Sequence, residues 1–290
     1  MSYKDSNIVC VMHNSVFYVD GEFIPENQAS INVSDLGLLR GYGIFDFTRT
    51  YDREPFRLKE HIERLENSAK KIELDLPWNK KELIEVTYRT LEKNPEGEKG
   101  VRIVVTGGHT LDSFHPASKP SLMIMVTPVP VYPSRCFDEG IKVITFPGKR
   151  EIPEAKTLNY IHAIKALNRG RREGAEEALY TYDGIVSECM VCSFFAVKNG
   201  RIITAGKDIL DGITRRTVLE LVGKSIPVEY RFVTLSEISS LDEAFLSSSA
   251  HEIMPIVTVD KTKISDGKPG PITKEVIEKF RNYTRNKSWK

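Results

Sequence analysis

Long apolar runs are missing from this sequence. It contains no stretch of about 18 or more apolar residues, the length that a membrane-spanning helix needs. Its first ten residues, MSYKDSNIVC, have no apolar core behind a basic start and so do not resemble an export signal. Because both features are absent, we expect a cytoplasmic protein without a membrane partner.

An excess of one charge is also missing. Lys and Arg together number 41 and Asp and Glu together number 40, which gives a formal net charge of +1. Proteins that gather nucleic acid or anionic membrane surfaces through their overall field carry a strong basic balance. The even balance therefore argues against a nucleic-acid partner.

Cysteine is scarce. The four cysteines, Cys10, Cys136, Cys189 and Cys192, are too few and too scattered for a disulfide framework in a chain of 290 residues. Cys189 and Cys192 form a CxxC motif, which also occurs in redox and metal sites. No second CxxC motif and no spaced pair of histidines accompanies it, so we expect no metal site.

The sequence does contain enough apolar material for folded domains. Hydrophobic residues make up 40% of it and charged residues 28%, as in ordinary globular proteins. A chain of 290 residues exceeds the usual size of a single core, which favours two domains. Residues 127–133 include three prolines and cannot continue a helix or a strand. We predict an N-terminal domain over residues 1–127, a linker over 128–134 and a C-terminal domain over 135–290.

The spacing of the apolar residues predicts both helices and strands. Asp20 and Gly21 interrupt an alternating stretch, which indicates a tight hairpin. Helical spacing begins at Leu58, and Asn79 with Glu82 has the pattern of a capping box. Further strands are predicted over 101–106, 122–127, 141–146, 178–182, 185–188 and 194–197, and further helices over 161–172, 214–222 and from 273. These elements indicate an α+β fold.

Three stretches combine polar groups and turn residues in ways that core packing does not require. Lys156 and Tyr160, four residues apart at the start of a predicted helix, can face one pocket. Glu188 lies in an otherwise apolar strand, where a carboxylate needs a partner. Gly212 precedes a predicted helix, and the first N–H groups of a helix bind phosphate. Each stretch taken alone also fits an ordinary surface lysine, a buried ion pair or a glycine N-cap.

In this order along the chain, the three stretches and several others resemble the class IV aminotransferases, the fold-type IV family of pyridoxal-phosphate (PLP) enzymes. The resemblance covers nearly the whole chain and rests on residues 16–21 (VFYVDG), 33–45 (VSDLGLLRGYGIF), 61–65 (HIERL), 156–160 (KTLNY), 187–188 (SE), 212–215 (GITR) and 249–255 (SAHEIMP). It implies a smaller N-terminal α/β domain and a larger, mixed C-terminal domain that is β-barrel-like and carries helices. It also implies a homodimer, PLP as cofactor, and amino acids and 2-oxo acids as substrates.

The resemblance assigns roles to individual residues. Lys156 would form the Schiff base with PLP and move the proton between the substrate Cα and the cofactor. Glu188 would face the pyridine nitrogen and keep it protonated. The other implied cofactor-binding residues are Arg64, Gly212, Ile213, Thr214, Ser248 and Ser249 at the phosphate, Tyr160 at the phenolic oxygen and Leu210 on the ring. The chain departs from the family after Glu188, where CMVC replaces small polar residues and an asparagine.

Three arginines bear on which enantiomer of the substrate binds. Arg40 and Arg102 match the carboxylate-binding arginines of a divergent subgroup of D-amino-acid transaminases, in which Arg40 would reach across a dimer interface. Arg49 matches an arginine of the branched-chain enzymes that lies near the carboxylate of the L-substrate. Leu111 and Ser113 stand where the common D-amino-acid enzymes have an arginine and a histidine. We favour a D-amino acid with 2-oxoglutarate or pyruvate, and keep an L-branched-chain amino acid as the alternative.

Two further functions stay open for the same fold. An aminodeoxychorismate-type lyase would use the same lysine for an elimination. A non-catalytic PLP carrier would need neither Lys156 nor Glu188, so the presence of both argues against it. Arg40, Arg49 and Arg102 also fit simple ion pairs, the ordinary role of arginines near a surface.

Overall fold

A computed structural model describes residues 15–223 and 225–289 of the chain. The segment MSYKDSNIVC, with Cys10, lies outside the described residues. Within those two ranges, no helix has both the length and the apolar character needed to cross a membrane. The described chain forms two sheets flanked by helices.

The first sheet is formed by the amino-terminal part of the chain. Its six strands are β1 (Val16–Val19), β2 (Glu22–Pro25), β3 (Gly43–Tyr51), β4 (Glu54–Pro55), β5 (Lys99–Thr106) and β6 (Ser121–Pro128). They lie in the order β2-β1-β6-β5-β3-β4, and all neighbours are antiparallel. The strands predicted over 101–106 and 122–127 are thereby confirmed.

The predicted hairpin joins β1 and β2. Asp20 and Gly21 adopt φ angles of 47° and 111°, the positive values that tight hairpin turns require. The Asp20 carboxylate also accepts a hydrogen bond from Leu122 N at 2.7 Å. The turn residue therefore fixes both the hairpin and its position beside β6.

Two amphipathic helices pack on the first sheet. They are α2 (Leu58–Lys71) and α3 (Lys80–Glu92), and both were expected from the apolar spacing. Ile62 and Leu65 of α2 are buried with Ile103 of β5 in one core. Asn79 Oδ1 accepts a hydrogen bond from Glu82 N at 3.1 Å, and the Glu82 carboxylate accepts one from Asn79 N at 2.8 Å. The predicted capping box is confirmed.

The second sheet has ten strands and mixed direction. The strands are β7 (Ile141–Pro147), β8 (Glu177–Tyr182), β9 (Ile185–Cys189), β10 (Ser193–Lys198), β11 (Arg201–Thr204), β12 (Val228–Tyr230), β13 (Val233–Thr234), β14 (Glu243–Ser248), β15 (Glu252–Val259) and β16 (Thr262–Lys263). Their order is β12-β11-β10-β14-β15-β7-β8-β9-β13, with β16 beside β15. Strand β7 runs parallel to both of its neighbours. The strands predicted between residues 141 and 197 are confirmed, and so is a hairpin turn that Asn199 and Gly200 predict between β10 and β11. Strands β12 to β16 were not predicted.

The remaining helices are short or lie on the second sheet. They are α1 (Leu36–Arg40), α4 (Arg135–Asp138), α5 (Ile161–Arg172), α6 (Ile213–Val222) and α7 (Pro271–Arg285). Helices α6 and α7 share a core with Phe195 and Phe245, whose rings stack with centroids 4.6 Å apart. Helix α7 starts two residues earlier than predicted, because Pro271 is favoured in a first helical turn.

The chain passes from the first sheet to the second between Pro128 and Ile141. Side chains also join the two parts: Arg57, before α2, donates hydrogen bonds to Glu220 of α6 and to the Tyr283 hydroxyl of α7, at 3.0 and 2.7 Å. The domain limits at residues 127 and 135 stay a prediction. The two sheets are nevertheless held side by side, which creates a cavity between them.

Candidate active site

The cavity has a volume of about 510 Å³ and is lined from both sheets. The structure brings together here all the residues that the sequence assigned to a cofactor: Arg64, Lys156, Tyr160, Glu188, Leu210, Gly212, Ile213, Thr214, Ser248 and Ser249. Arg102 also lines the cavity, whereas Arg40 and Arg49 do not. Positions more than 180 residues apart thus share one site, from Arg64 to Ser249.

The first sheet and helix α2 hold Lys156 in place. Phe45 N donates to Lys156 O at 2.9 Å, and Lys156 N donates to Ser68 Oγ at 3.0 Å. Leu158 N donates to Gly43 O at 3.0 Å. The backbone segments are so close here that a Cβ atom on Gly43 would lie 2.7 Å from the backbone oxygen of Val105 and 2.7 Å from Leu158 Cδ1. Glycine at the start of β3 therefore permits the backbone contact that positions the lysine.

The ε-amino group of Lys156 is buried. Its Nζ lies 4.7 Å from the centre of the Phe45 ring. Burial lowers the pKa of Lys156, although the Tyr160 phenol opposes this effect. A lowered pKa increases the fraction of neutral amine at neutral pH, and the neutral amine is the nucleophilic form.

Glu188 extends from β9 into the cavity. Burial raises the pKa of its carboxyl to about 7, with Arg150 opposing the shift. Leu210 N donates to Glu188 Oε2 at 3.4 Å. This single long bond compensates the buried charge poorly, so the carboxylate would be stabilised by a protonated nitrogen in the cavity.

A buried carboxylate fixes Arg64. Its Nε and Nη2 donate to Asp46 Oδ2 and Oδ1, both at 2.8 Å, in the bidentate geometry typical of arginine. His61 Nδ1 lies 2.6 Å from Asp46 Oδ1. Burial alone would raise the pKa of Asp46, but the Arg64 guanidinium and His61 hold it well below its usual range. Arg64 Nη1 also donates to Asp211 O at 3.1 Å, which directs the guanidinium to the start of α6.

The start of α6 supplies free donors beside Arg64. Gly212 is the N-cap residue and no side chain caps the helix, so the N–H groups of Ile213 and Thr214 remain available. Ser247 Oγ is buried and, among the described residues, has no hydrogen-bond partner. A guanidinium, a helix amino terminus and a hydroxyl form an anion site of the kind that holds phosphate.

Arg102 is the substrate candidate that reaches the cavity. It projects from β5, and its Cζ lies 4.9 and 5.4 Å from the ring centres of Phe45 and Phe47. Partial burial lowers the pKa of Arg102 from its high ordinary value. No ion pair or hydrogen bond with its guanidinium occurs within residues 15–223 and 225–289, so its donors are free for a ligand.

The other two arginines lie elsewhere. Arg49 Nη1 pairs with Glu252 Oε1 at 3.1 Å and its Cζ stacks 4.8 Å from the centre of the Tyr51 ring. Arg40 ends α1 at the surface, with its Cζ 4.8 Å from the ring centre of Phe114. Neither guanidinium lines the cavity of its own chain.

Asp46, Arg150 and Ser247 belong to the site but were not singled out from the sequence. Asp46 is a charged residue in an apolar strand, the same signal that drew attention to Glu188, so it could have been found. Arg150 lines the cavity and donates to Ala155 O at 2.5 Å. It lies in an irregular segment without periodicity, and only the fold brings it near Glu188.

The CxxC segment forms a turn between β9 and β10. Cys189 N donates to Cys192 O at 3.0 Å, and Cys192 Sγ lies 3.3 Å from His251 Nδ1 in the cavity wall. Burial raises the pKa of both thiols well above the usual value, so both are protonated at neutral pH. A metal-binding arrangement of three or more His, Cys, Asp or Glu residues does not occur in the described part of the chain.

Comparison with known proteins decides the family. The sequence profile of the family described as amino-transferase class IV matches residues 43–259. The chain is a class IV aminotransferase. The predictions of the family and of an aminotransferase that depends on PLP are confirmed.

Similar proteins with two different names support this membership. A putative branched-chain-amino-acid aminotransferase of Methanocaldococcus jannaschii is 36% identical to this aminotransferase over 276 residues, which is 91% of this chain and 95% of that protein. A D-alanine aminotransferase of Staphylococcus epidermidis is 32% identical over 280 residues, 93% of this chain and 98% of that protein.

Solved structures show the same fold. The PLP form of the branched-chain amino acid aminotransferase of Thermobaculum terrenum superimposes with a TM-score of 0.84 and 25% identity, over 95% of this chain and 95% of that one. The predicted α+β fold of fold type IV is confirmed, as is PLP as the cofactor of this aminotransferase. The cavity fits PLP, since it offers an amine, an anion site with the unpartnered Ser247 Oγ, and a buried carboxyl.

Proposed function

We propose that this class IV aminotransferase moves an amino group between a D-amino acid and a 2-oxo acid, with 2-oxoglutarate or pyruvate as the acceptor. The observation that carries the proposal is the contrast between two arginines. Arg102, which matches the D-amino-acid subgroup, has free donors in the cavity. Arg49, which matches the branched-chain enzymes, is paired with Glu252 outside it. The D-alanine aminotransferases among its relatives support the same choice.

Different residues of the cavity would hold the phosphate and the ring of the cofactor. Arg64, the first N–H groups of α6 and the serines around Ser249 would hold the phosphate, since they form the anion site. Glu188 would face the ring nitrogen, where a protonated nitrogen relieves its burial. Tyr160 and Leu210 would contact the phenolic oxygen and the ring face, respectively.

The chemistry divides between cofactor and chain. When bound, PLP supplies an aldehyde that takes up the amino group and a ring that withdraws electrons from the substrate Cα. Lys156 would hold the cofactor through its ε-amine and, once that amine is released by the substrate, would carry the proton at the substrate Cα. Its lowered pKa favours this role, because a general base must be unprotonated when it acts. Arg102, whose guanidinium lies against the rings of Phe45 and Phe47, binds the substrate carboxylate.

A homodimer would complete the site. Large apolar side chains are exposed on α1, just before it and on the loop that pairs with this region, namely Leu38, Val33, Leu111 and Phe114. The loop is joined to this region through Thr110 N, which donates to Ser34 O at 3.0 Å. An exposed apolar surface of this kind fits a second copy of the chain, and Arg40 lies within it.

An L-branched-chain amino acid is the second candidate. The cavity wall includes the apolar residues Val104, Pro130, Met190 and Val191, which suit an aliphatic side chain. The relative from Methanocaldococcus jannaschii carries the branched-chain name, although as putative. The wall does not distinguish enantiomers, so Arg102 and Arg49 decide our preference.

The two candidates differ in which amino acids convert bound PLP to its amine form. The purified holoenzyme is mixed with D-alanine, D-glutamate, L-glutamate or L-leucine, and the loss of the visible absorbance of the cofactor is followed. We expect turnover with D-alanine and D-glutamate. Arg102→Met should raise KM for the D-amino acid roughly 10- to 100-fold, the range for losing a hydrogen bond to a charged group.

The controls separate the remaining alternatives. Turnover of L-leucine alone would overturn the D-amino-acid proposal, and release of pyruvate from aminodeoxychorismate without an oxo acid would favour the lyase. Lys156→Ala should abolish turnover. A wild-type protein in which borohydride attaches no cofactor to Lys156, as read by mass spectrometry of its peptides, would remove the assignment of that lysine.

A further inference from the structure

His251 lines the cavity but is not among the residues assigned to the cofactor. It belongs to the turn between β14 and β15, directly after Ser249 and Ala250. The wall there also contains apolar residues such as Val191 and Pro130. An imidazole among apolar side chains needs partners for both of its nitrogens.

Ser248 determines which nitrogen of the ring carries the hydrogen. Its Oγ accepts a hydrogen bond from His251 N at 3.0 Å, so its own hydroxyl hydrogen can point to His251 Nδ1, 2.9 Å away. Cys192 Sγ lies 3.3 Å from the same nitrogen, and its protonated thiol donates to Glu177 Oε2 at 3.5 Å. With the Ser248 hydroxyl hydrogen placed on Nδ1, we assign the hydrogen of the neutral ring to Nε2.

The ring is fixed and uncharged. Tyr132 packs against it, with ring centroids 4.5 Å apart and planes inclined by 31°. Burial lowers the pKa of His251 to about 4, so the imidazole is neutral near pH 7. In the described ranges of the chain, Nε2 has no hydrogen-bond partner, although the ring lines the cavity. His251 thus offers an oriented, neutral N–H donor to a ligand.

We propose that His251 Nε2–H donates to an oxygen atom in the substrate side chain, so that the enzyme selects amino and 2-oxo acids with carboxylate or amide side chains over those with apolar side chains of similar size. The inference rests on the proposed transamination and deepens it. A large apolar side chain would leave the Nε2–H donor without water and without a partner. Binding of such a substrate is therefore weakened by more than the loss of one hydrogen bond. Cys192 acts as a positioning residue, since it acts on the substrate only through the ring.

The test uses 2-oxo acids because their reacting carbon is not a stereocentre, which removes the question of D or L substrates. The protein is loaded with pyridoxamine 5'-phosphate and mixed with 2-oxoglutarate or with 4-methyl-2-oxopentanoate. The return of the visible cofactor absorbance then gives the rate constant over the dissociation constant for each acid. Their ratio measures discrimination by the side chain.

Two variants bracket the role of the donor. His251→Phe keeps a ring against Tyr132 and removes the N–H group, whereas His251→Gln keeps a side-chain N–H donor of similar reach. We expect the wild type to prefer 2-oxoglutarate. His251→Phe should lower the ratio roughly 10- to 100-fold, and His251→Gln should lower it less than about threefold.

The outcomes are distinct from those of the proposed function. A wild type that converts the apolar acid better, or a ratio that His251→Phe leaves unchanged, overturns the inference while transamination stands. An equal fall for both acids also overturns it, since the ring would then be structural. A wild type that converts neither of these acids, and does not convert pyruvate either, contradicts transamination itself.

Discussion

The buried carboxyl of Glu177 makes the stability of the folded protein depend on pH. Its Oε1 accepts a hydrogen bond from Ala178 N at 2.8 Å, and within the described ranges no cation pairs with it. Burial raises the pKa of Glu177 from 4.5 to about 7. The folded state therefore binds more protons than the unfolded state between these pH values, and stability falls as the pH rises through them.

Replacing this carboxyl by an amide should remove that loss of stability. The pKa difference, 7 minus 4.5, corresponds to about 3 kcal/mol. We expect the decrease in unfolding free energy of the cofactor-free protein between pH 5 and pH 8 to be smaller in Glu177→Gln, by up to about 3 kcal/mol. Urea unfolding at pH 5 and pH 8 measures this free energy for the wild type and the variant. Glu176→Gln, which changes the exposed neighbouring residue, is the control. An unchanged pH dependence in Glu177→Gln would show that the group titrates normally.

The residues of the site differ in how far the sequence reveals them. Glu188 and Gly212 carry local signals, namely a charge in an apolar strand and a glycine before a helix. Lys156 and Arg64 were assigned because the motifs that contain them follow the order found in the class IV aminotransferases. Cys192 and His251 lie 59 positions apart and meet only because β10 and β14 are neighbours. Their contact depends on strand pairing across the sheet, which has no local signal.

At the scale of elements, Arg49 links β3 to the turn that follows β14. Glu252, the first residue of β15, has a φ angle of 56°, unusual for a residue other than glycine. Its Oε1 accepts from Tyr51 Oη at 2.9 Å and pairs with Arg49 Nη1 at 3.1 Å. The first sheet thereby holds the turn that carries Ser249, a candidate phosphate ligand.

Breaking this link should weaken cofactor binding without any substrate present. We expect Arg49→Met to raise the Kd for PLP roughly 5- to 30-fold, which corresponds to about 1 or 2 kcal/mol. Fluorescence titration of the cofactor-free protein measures it. The control is Glu63→Gln, which removes the exposed Lys80–Glu63 pair and should change little. An unchanged Kd in Arg49→Met, together with a higher KM for the amino acid, would instead favour a direct role of Arg49 at the substrate.

Elements with a strong internal period were predicted well, and others were not. Helix α2 begins at Leu58 and α3 directly after Asn79, as the sequence predicts, because helical spacing and capping are local properties. Strand β15 was missed although it has eight residues. Pro255 lies within it, and proline in a strand interior argues against a strand from sequence alone. Strands β12, β13 and β16 contain three residues or fewer and exist only through their pairing partners.

For the molecule as a whole, the position of Arg40 distinguishes a site formed by one chain from a site formed by two. Its guanidinium lies outside the cavity of its own chain, among exposed apolar side chains such as Leu38 and Phe114. If the proposed homodimer buries this surface, Arg40 can serve the cavity of the partner subunit. Each active site would then combine a lysine from one protomer with an arginine from the other.

Mixed dimers test this arrangement. One protomer carries Lys156→Ala and the other Arg40→Ala, with different affinity tags so that the mixed dimer can be isolated. A dimer of Arg40→Ala alone should lose roughly tenfold in kcat/KM for the D-amino acid. In the mixed dimer, the site that retains Lys156 receives an intact arginine from its partner, so about half of the wild-type activity should return. If each site uses its own Arg40, mixing restores nothing, because the only site with a lysine lacks its arginine.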